Sequence, residues 1–404
     1  MTPTVDLKSA VCAAVDAMRA ELIGVSRAIH AEPELAFHEE KAAARLTATV
    51  EQHGLPITRG AYGLETAFAS EFGPQNAPRI AILAEYDALP GIGHACGHNL
   101  IATSGLGAAL ALAKLGDRLP GRVRFLGTPA EEAGAGKELM ARAGAFQDVA
   151  AAVMMHPSDY NRVNAKVLAC AILEVTYHGK AAHASSRPWD GINALDGLVL
   201  AYQAIAALRQ HIKPTERVHG VITEGGAAAN IVPERAAGRF LVRAATAKDL
   251  AALRARVVAC FEGAAQASGA RLELAAPEPD YLDMIHNMPL CHAFQRNAEA
   301  LGRVFVPPDH PAYARTASTD MGNVSHHVPA IHPNLAAAPA DCVIHNAEFA
   351  RWAGSEMGDQ AAIDGAKALA MTAIDFFTDA KLRGEIEATF AATGEERVLL
   401  ARSP

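Results

Sequence analysis

The 404-residue chain has a formal net charge of −8, half of its residues are hydrophobic and a fifth are charged. This length exceeds what one hydrophobic core usually supports, so we expect two domains. The negative charge argues against binding to nucleic acid or to an anionic membrane, because both require clustered Lys and Arg. With neither a signal-peptide pattern nor an apolar run long enough to span a bilayer, the sequence predicts a cytoplasmic protein that acts on a small solute.

The N-terminal region predicts helices, and short strands follow it. Apolar residues recur every three or four positions over Leu7–Ala31, and a further helix is predicted from about Glu39 to Gln52. Three β-rich apolar runs then follow at 79–84, 122–126 and 149–155, separated by helix-like segments. This alternation predicts a largely parallel sheet covered on both faces, and therefore an α/β domain.

The middle of the chain predicts a different unit. Its elements alternate as strand, helix, strand, strand, helix, strand, at 167–177, 192–211, 218–223, 231–244, 247–268 and 271–274. This βαββαβ order is typical of a ferredoxin-like fold.

After this unit the α/β character returns. Helices are predicted at 290–301 and near 358–377, and 383–404 predicts a helix followed by a loose tail. The predicted domains are therefore one formed by residues 1–166 and 284–404, and an inserted one formed by residues 167–283.

Residues that can bind metal follow each predicted strand of the first domain. Glu85 and Asp87 follow the first strand, Glu131 and Glu132 the second, and His156 the third. Because ligands bind at the carboxyl ends of strands in open α/β sheets, we expect these side chains to meet at one rim. Taken singly, the two adjacent glutamates also fit the first turn of a helix, and the histidine also fits a strand end bonded to backbone.

The spacing of Cys96 and His98 is a second indication of a metal site. The glycine between them allows the backbone to turn, so that thiolate and imidazole can reach one metal ion or two adjacent ions. Adjacent carboxylates repel unless a cation compensates them, and one can bind metal while the other serves as a general base. His345, between Cys342 and Asn346, is a further candidate ligand or another backbone-bonded histidine. The remaining cysteines are scattered, unlike those of a disulfide-stapled domain.

Several motifs occur in one order along most of the chain. Around the predicted metal site they are AEYDALP at 84–90, HACGH at 94–98, TPAEE at 128–132, MH at 155–156 and VIHN at 343–346. Elsewhere they are HAEPE at 30–34, GKAAHASS at 179–186, GAAANIVP at 226–233 and STDMGNVS at 318–325. Together they resemble the aminoacylase and glutamate carboxypeptidase family of di-metal peptidases. Asn99 and the last motif are most similar to its p-aminobenzoyl-glutamate hydrolase and β-alanyl-type dipeptidase subgroup.

The resemblance implies a catalytic α/β domain with an inserted ferredoxin-like domain that serves as lid and dimerisation module. It implies two divalent ions, Zn²⁺ or Mn²⁺, with these ligands: Cys96, His98, Glu132, His156 and His345. Glu131 would be the general base. Asp87 would contact the metal ligands without binding metal itself. Glu85 stands where the carboxypeptidases have a histidine ligand, and Cys96 would replace their bridging aspartate.

The resemblance also implies roles for residues of the inserted domain. His183 would donate to the oxyanion, at the active site of its own chain or of the other subunit of a homodimer. Asn230 and Arg243 are candidates to hold a substrate carboxylate, because an amide donor and a guanidinium suit that group. Arg239 is equally plausible from its spacing.

The predicted reaction is metal-dependent hydrolysis of the amide bond in a small N-acyl amino acid, an aminobenzoyl-glutamate-like conjugate or a dipeptide. A non-catalytic relative that binds an amino-acid conjugate, a structural metal site and a hydrolase of another aryl amide are the alternatives. Glu131 beside a ligand disfavours the first two. A serine hydrolase is disfavoured because the chain has no G-x-S-x-G motif. His326 and His327 are interpreted as loop residues, solvated or lining the substrate pocket.

Overall fold

The computed structural model describes residues 3–400. Its helices are α1 Pro3–Ala17, α2 Arg19–Ala31, α3 Glu40–Gln52, α4 His98–Ala113, α5 Gly136–Arg142, α6 Ala194–Leu208, α7 Ala247–Ser268, α8 Met288–Glu299, α9 Met321–His327, α10 Ala347–Ala353, α11 Glu356–Thr378 and α12 Ala380–Ala392. Within this range no helix combines the length and the apolar character needed to cross a membrane.

The strands are short in the first part of the chain and longer in the middle. They are β1 Thr58–Arg59, β2 Phe68–Phe72, β3 Arg79–Ala84, β4 Arg122–Gly127, β5 Ala151–Val153, β6 His156–Ser158, β7 Lys166–Val167, β8 Ala169–His178, β9 Arg217–Glu224, β10 Arg235–Ala244, β11 Arg271–Ala275, β12 Thr316–Ala317, β13 Ala330–Ile331 and β14 Asn334–Ala336. The chain folds as two compact units: the first runs up to Lys166 and resumes at Met284, and the second is Val167–Asp283.

The first unit is built on a mixed sheet with the strand order β1-β2-β4-β3-β5-β13. Strands β4, β3, β5 and β13 are parallel to one another, whereas β2 is antiparallel to β4 and β1 is antiparallel to β2. The predicted α/β class is confirmed. The sheet is less uniformly parallel than predicted, because β2 lies in a stretch for which the sequence pattern gave no strand.

Helices α4 and α11 form the buried helical layer of the first unit. Every residue of α4 from His98 to Leu112 is buried, and α4 packs against β3 and α11. A glycine allows the close approach to the sheet, because a Cβ at Gly105 would lie 2.7 Å from the carbonyl oxygen of Leu83. This packing fixes the start of α4, and with it His98, against the end of β3.

The second unit is an antiparallel four-stranded sheet with the order β11-β8-β10-β9, and helices α6 and α7 pack on it. The predicted βαββαβ arrangement is confirmed. Helix α7 has the predicted bounds because both of its ends are capped. Thr246 Oγ1 accepts from the Asp249 amide at the start, and Gly269 follows the last residue with φ 74°. Tyr177, Phe240 and Phe261 are fully buried between the sheet and these helices.

Several element boundaries differ from the sequence pattern, and the predicted strand 231–244, for example, begins only at Arg235. The predicted helix over Leu7–Ala31 is two helices, with a break at Met18, where ψ is 5°. The run 149–155 forms only the short strand β5, and the chain then leaves the main sheet to pair β6 with β14. The C-terminal helix begins at Ala380 rather than 383, since Asp379 caps it. The end of the predicted tail, 401–404, lies outside the described residues.

Candidate metal centre

The carboxyl ends of three parallel neighbours form the rim where the candidate residues lie. Glu85 directly follows β3, the loop after β4 carries Glu131 and Glu132, and His156 begins β6 three residues beyond the end of β5. The alternative that the two glutamates begin a helix is wrong, because α5 starts only at Gly136. Parallel pairing therefore gathers acids and imidazole from distant parts of the sequence.

Cys96 and His98 reach the same rim from the start of α4. The glycine between them has φ 80°, and a Cβ at Gly97 would lie 2.6 Å from the Cγ of Pro157. The backbone could not make this turn with a larger residue. His345 also has a positive φ, 66°, and its amide donates to the Ala95 carbonyl at 2.8 Å, which ties it to the same turn.

Two sets of three ligand-type atoms share the Cys96 thiol. Cys96, His98 and His156 form one set and Cys96, Glu132 and His345 the other, each with its atoms within 4.8 Å of one another. The Cys96 Sγ lies 3.3 Å from His156 Nε2, and Glu132 Oε1 lies 3.6 Å from His345 Nε2. The arrangement suits two adjacent metal ions with the thiolate between them.

Asp87 orients a residue of each set. One carboxylate oxygen lies 3.0 Å from His98 Nδ1, and the other accepts the backbone N–H of Glu132 at 2.8 Å. Since a carboxylate only accepts, Nδ1 of His98 carries the proton and Nε2 has the lone pair. His156 is in the same tautomer, because its Nδ1 lies 2.6 Å from the Pro157 carbonyl oxygen. Both Nε2 atoms are therefore suited to bind metal.

Three buried atoms at the centre of the rim have no hydrogen-bond partner among residues 3–400. They are His98 Nε2, Glu85 Oε1 and Glu132 Oε1. Glu85 Oε1 lies 3.3 Å from His98 Nε2, and Glu131 Oε2 lies 3.7 Å from the same nitrogen. Burying polar atoms without partners is energetically unfavourable, so the convergence of these atoms indicates a space that a cation would fill.

Electrostatics lead to the same conclusion. Burial raises the pKa of the Glu132 carboxyl to about 7, and it also raises the pKa of Glu131 and that of the Cys96 thiol. Burial acts to lower the pKa of His98, but Glu85, Cys96 and the hydrogen bond to Asp87 together outweigh it, and the pKa is raised. The acids and the thiol thus need positive charge to be ionised together, and divalent cations would supply it. A donor set of thiolate, imidazole and carboxylate suits zinc and tolerates manganese.

A buried lysine, absent from the residues predicted by motif, completes the charge network. Lys137 is fully buried, and its Nζ lies 2.5 Å from Glu85 Oε2 and 2.7 Å from Asp320 Oδ1. Glu85 therefore gives one oxygen to the ammonium and directs the other toward His98. Asp320 belongs to the STDMGNVS motif, so the sequence could have indicated it as a site residue. Lys137 is a lone lysine after TPAEE, and no motif indicates it.

The second unit holds the other predicted site residues, and two of them lie on paired segments. His183 forms an isolated β-bridge with Ile231, and the Ala184 amide donates to the Asn230 carbonyl at 3.0 Å. Both His183 and Asn230 are exposed. The Nδ1 of His183 accepts from the backbone amides of Ser185 and Ser186, so its Nε2 carries the proton and can donate.

The predicted pairing of Asn230 with Arg243 on one carboxylate is corrected by strand geometry. Arg243 pairs with Cys170 near the far end of β10, whereas Asn230 precedes the start of that strand at Arg235. Arg243 lies eight positions after Arg235, roughly 26 Å along the strand, which is too far for one small group. Arg239 lies between them and donates to Glu278.

The interpretation of His326 and His327 as loop residues is also wrong. Both lie in helix α9, where His326 is buried and its Nδ1 accepts from the Val398 amide at 2.9 Å. His327 lies 3.6 Å from Glu138. The histidine that does adjoin the rim is His332, whose ring is edge-on to His156 at 5.3 Å. No sequence motif indicated it.

The fold and the rim together define a class: an α/β protein with an inserted ferredoxin-like unit and candidate metal ligands at the ends of its parallel strands. The profile of the peptidase dimerisation domain matches residues 171–268. A Xaa-Arg dipeptidase from Mus musculus is 40% identical, over 98% of this chain and 94% of the relative. The chain belongs to the M20 family of peptidases.

Two further comparisons agree. One of the subunits of the p-aminobenzoyl-glutamate hydrolase of Escherichia coli (strain K12) is 36% identical over 62% of this chain and 56% of the relative. The crystal structure of a dinuclear metal-binding peptidase of the M20 family from Bacillus subtilis matches with a TM-score of 0.66 at 22% identity. That match covers 89% of this chain and 98% of the other, and it supports the fold.

Proposed function

We propose that this hydrolase uses two divalent metal ions to cleave the amide bond of small dipeptides or N-acyl amino acids. The observation that carries the proposal is the pair of ligand sets that share Cys96, beside three unpartnered buried atoms. The ligands would be these residues: Cys96, His98, His156, Glu132 and His345. When bound, the metal ions would polarise the amide carbonyl and make a water molecule acidic enough to lose a proton near neutral pH.

Glu131 is the proposed general base. Its carboxylate oxygen lies 3.7 Å from His98 Nε2, an atom proposed to bind metal, and the adjacent Glu132 is 3.6 Å from His345. Glu131 would take the proton from the attacking water and pass it to the leaving nitrogen. Asp87 would keep His98 and Glu132 in place during this transfer, because it holds both from behind.

His183 is the proposed donor to the oxyanion of the tetrahedral intermediate. Its Nδ1 is occupied by two backbone amides, so the exposed imidazole presents an Nε2–H donor. A donor of this type acts mainly in the transition state. Asn230, on the segment paired with His183, is the proposed contact for the substrate carboxylate.

We propose a homodimer formed through the second unit. The match to a peptidase dimerisation domain covers most of this unit. Strand β9 is at the edge of its sheet, where Val221 and Ile222 are 61% and 44% exposed. Val199 and Leu200 of α6 are two further exposed apolar residues of this unit, each 43% exposed. An open, apolar strand edge is suited to pairing with a second copy of the same strand.

Among substrate classes, dipeptides with a C-terminal basic residue are proposed first. The support is that the chain is 40% identical over 98% of its length to a protein named Xaa-Arg dipeptidase. Aminobenzoyl-glutamate conjugates rank second, since the relative with that name matches 62% of the chain. The free cysteines of the described chain agree with a reducing compartment, and we propose the cytoplasm.

The test is a substrate screen on protein of known metal content. Protein dialysed against a chelator should be inactive, and Zn²⁺ or Mn²⁺ should restore hydrolysis. The screen compares Xaa-Arg and Xaa-Lys dipeptides, β-alanyl dipeptides, p-aminobenzoyl-glutamate and N-acetyl amino acids. Full turnover by metal-free protein would contradict the metal-dependent reaction. Faster turnover of p-aminobenzoyl-glutamate than of any dipeptide would reverse the proposed substrate order.

A further inference from the structure

Glu39 is a buried acid that the proposed reaction does not use. It immediately precedes α3 in the first unit and is fully buried. Its side chain does not cap that helix. Instead, Oε1 accepts the backbone N–H of Phe37 at 3.0 Å and that of Ala130 at 2.8 Å, and Oε2 accepts the hydroxyl of Thr66 at 2.8 Å. A carboxylate buried with so many donors has a specific structural task.

The two amides that Glu39 holds belong to residues with an unusual backbone. Phe37 has φ 65° and Ala130 has φ 61°. This left-handed region is unfavourable for any residue with a Cβ, because the Cβ approaches the following carbonyl. Neither residue is a glycine, so neighbouring contacts must hold the conformation. One carboxylate oxygen joins both strained positions.

Ala130 directly precedes Glu131, the proposed base. The loop that carries both is tightly folded, since a Cβ at Gly136 would lie 1.9 Å from the Pro129 carbonyl oxygen. The ring of Phe37 lies against the same loop, because a Cβ at Gly134 would be 2.3 Å from it. The conformation at Ala130 therefore determines the direction in which Glu131 leaves the loop.

We propose that Glu39 is a positioning residue that holds Ala130 left-handed and so aims the Glu131 carboxylate at the reacting atoms. This inference rests on the proposed function of Glu131 as the base. Glu39 accepts from the Phe37 and Ala130 amides and from the Thr66 hydroxyl, so we infer that it acts on Glu131 through the backbone. Its loss should therefore lower kcat and leave KM and metal content nearly unchanged, because substrate and metal contact other side chains.

The first test compares three variants under saturating metal. Glu39→Ala should lower kcat about a hundredfold, the scale of loss expected from a misplacement near 1 Å. Glu39→Gln should stay near the kcat of the unaltered protein, because its carbonyl oxygen can accept from both amides. Glu40→Ala is the matched control, since its side chain is exposed in the first turn of α3. A normal kcat in folded Glu39→Ala protein would overturn the proposal.

The second test asks whether the backbone at Ala130 is what Glu39 controls. Glycine adopts a positive φ without penalty, so Ala130→Gly should restore at least about tenfold of the lost kcat in the Glu39→Ala background. A packing role for Glu39 predicts no such rescue. Where Glu39→Ala does not fold, Glu39→Asp replaces it, because the shorter acid stays buried but withdraws from both amides. Absence of rescue in folded, metal-loaded protein overturns the inference.

A parallel variant separates this inference from the proposed function. Glu131→Gln should be inactive if Glu131 is the base. If Glu131→Gln retains turnover, the base assignment fails, whatever the Glu39 variants show. If Glu131→Gln is inactive while Glu39→Ala has normal kcat, only the positioning inference fails.

Discussion

At the scale of single residues, the adjacent acids Glu131 and Glu132 are expected to behave differently. Glu131→Gln should retain metal and lose a factor of about 10²–10⁴ in kcat, because only the proton carrier is removed. Glu132→Ala should lose metal as well, since its carboxylate faces His345. Elemental analysis and steady-state kinetics measure both effects, with exposed Glu387→Gln as control. Equal metal content and comparable turnover in the two variants would contradict the assignment.

A second residue-scale prediction concerns Lys137. Replacement by Met leaves the buried carboxylates of Glu85 and Asp320 without their cation, which should lower the free energy of unfolding by about 3–5 kcal/mol. Adding Asp320→Asn should recover part of this loss, because one unpaired charge is removed. Urea unfolding of the metal-free protein gives both values, and Lys381→Met is the control because that side chain is 87% exposed. A double variant no more stable than Lys137→Met would contradict the charge explanation.

Site residues that belong to a sequence motif could be predicted from the sequence. Residues that only the fold brings to the site could not. Cys96 and His98 flank a tight glycine turn and Glu132 follows a strand, and the structure gathers all three at one rim. Lys137 and Glu39 were missed because burial gives them their importance, and burial depends on distant chain segments. Residue type assigned Asn230 and Arg243 to one carboxylate, whereas only the strand shows how far apart the two residues lie.

At the scale of elements, strand β9 carries the prediction about assembly. Val221→Lys places a charge on the exposed edge of the second unit's sheet, and such lysines prevent edge-to-edge pairing. Light scattering should show a dimer for the unaltered protein and mostly monomer for the variant. Val304→Lys is the control, because Val304 is 79% exposed in the first unit. A Val221→Lys protein that remains fully dimeric would show that β9 is not the interface.

Elements with strong local signals were predicted well, and those defined by pairing were not. Helix α7 has a capping threonine and a terminal glycine, and its predicted bounds agree with the structure. Strand β2 and the exchange from β5 to β6 depend on partners far along the chain, since β6 pairs with β14. The local pattern contains no information about those partners.

At the scale of the whole molecule, the proposed dimer makes a test of complementation possible. Mixed dimers of Glu131→Gln and His183→Ala subunits should recover some activity if His183 donates to the site of the partner subunit. One of the two sites would then have both groups intact. Verified mixed dimers without activity would mean that His183 acts within its own chain or has no catalytic role. His183→Ala alone should lower kcat about a hundredfold with little change in KM.

The insertion of the second unit has a consequence for synthesis of the chain. Val167–Asp283 is continuous in sequence, and its ends are already joined by two hydrogen bonds between Cys170 and Tyr281. The first unit is discontinuous, because β13 must pair with β5 and α11 must pack on α4 across the whole insert. The inserted unit can therefore fold on the ribosome before the first unit is complete. The first unit also needs α11 and His345, which are synthesised later. Protease probing of stalled nascent chains should find residues 167–283 protected before α4.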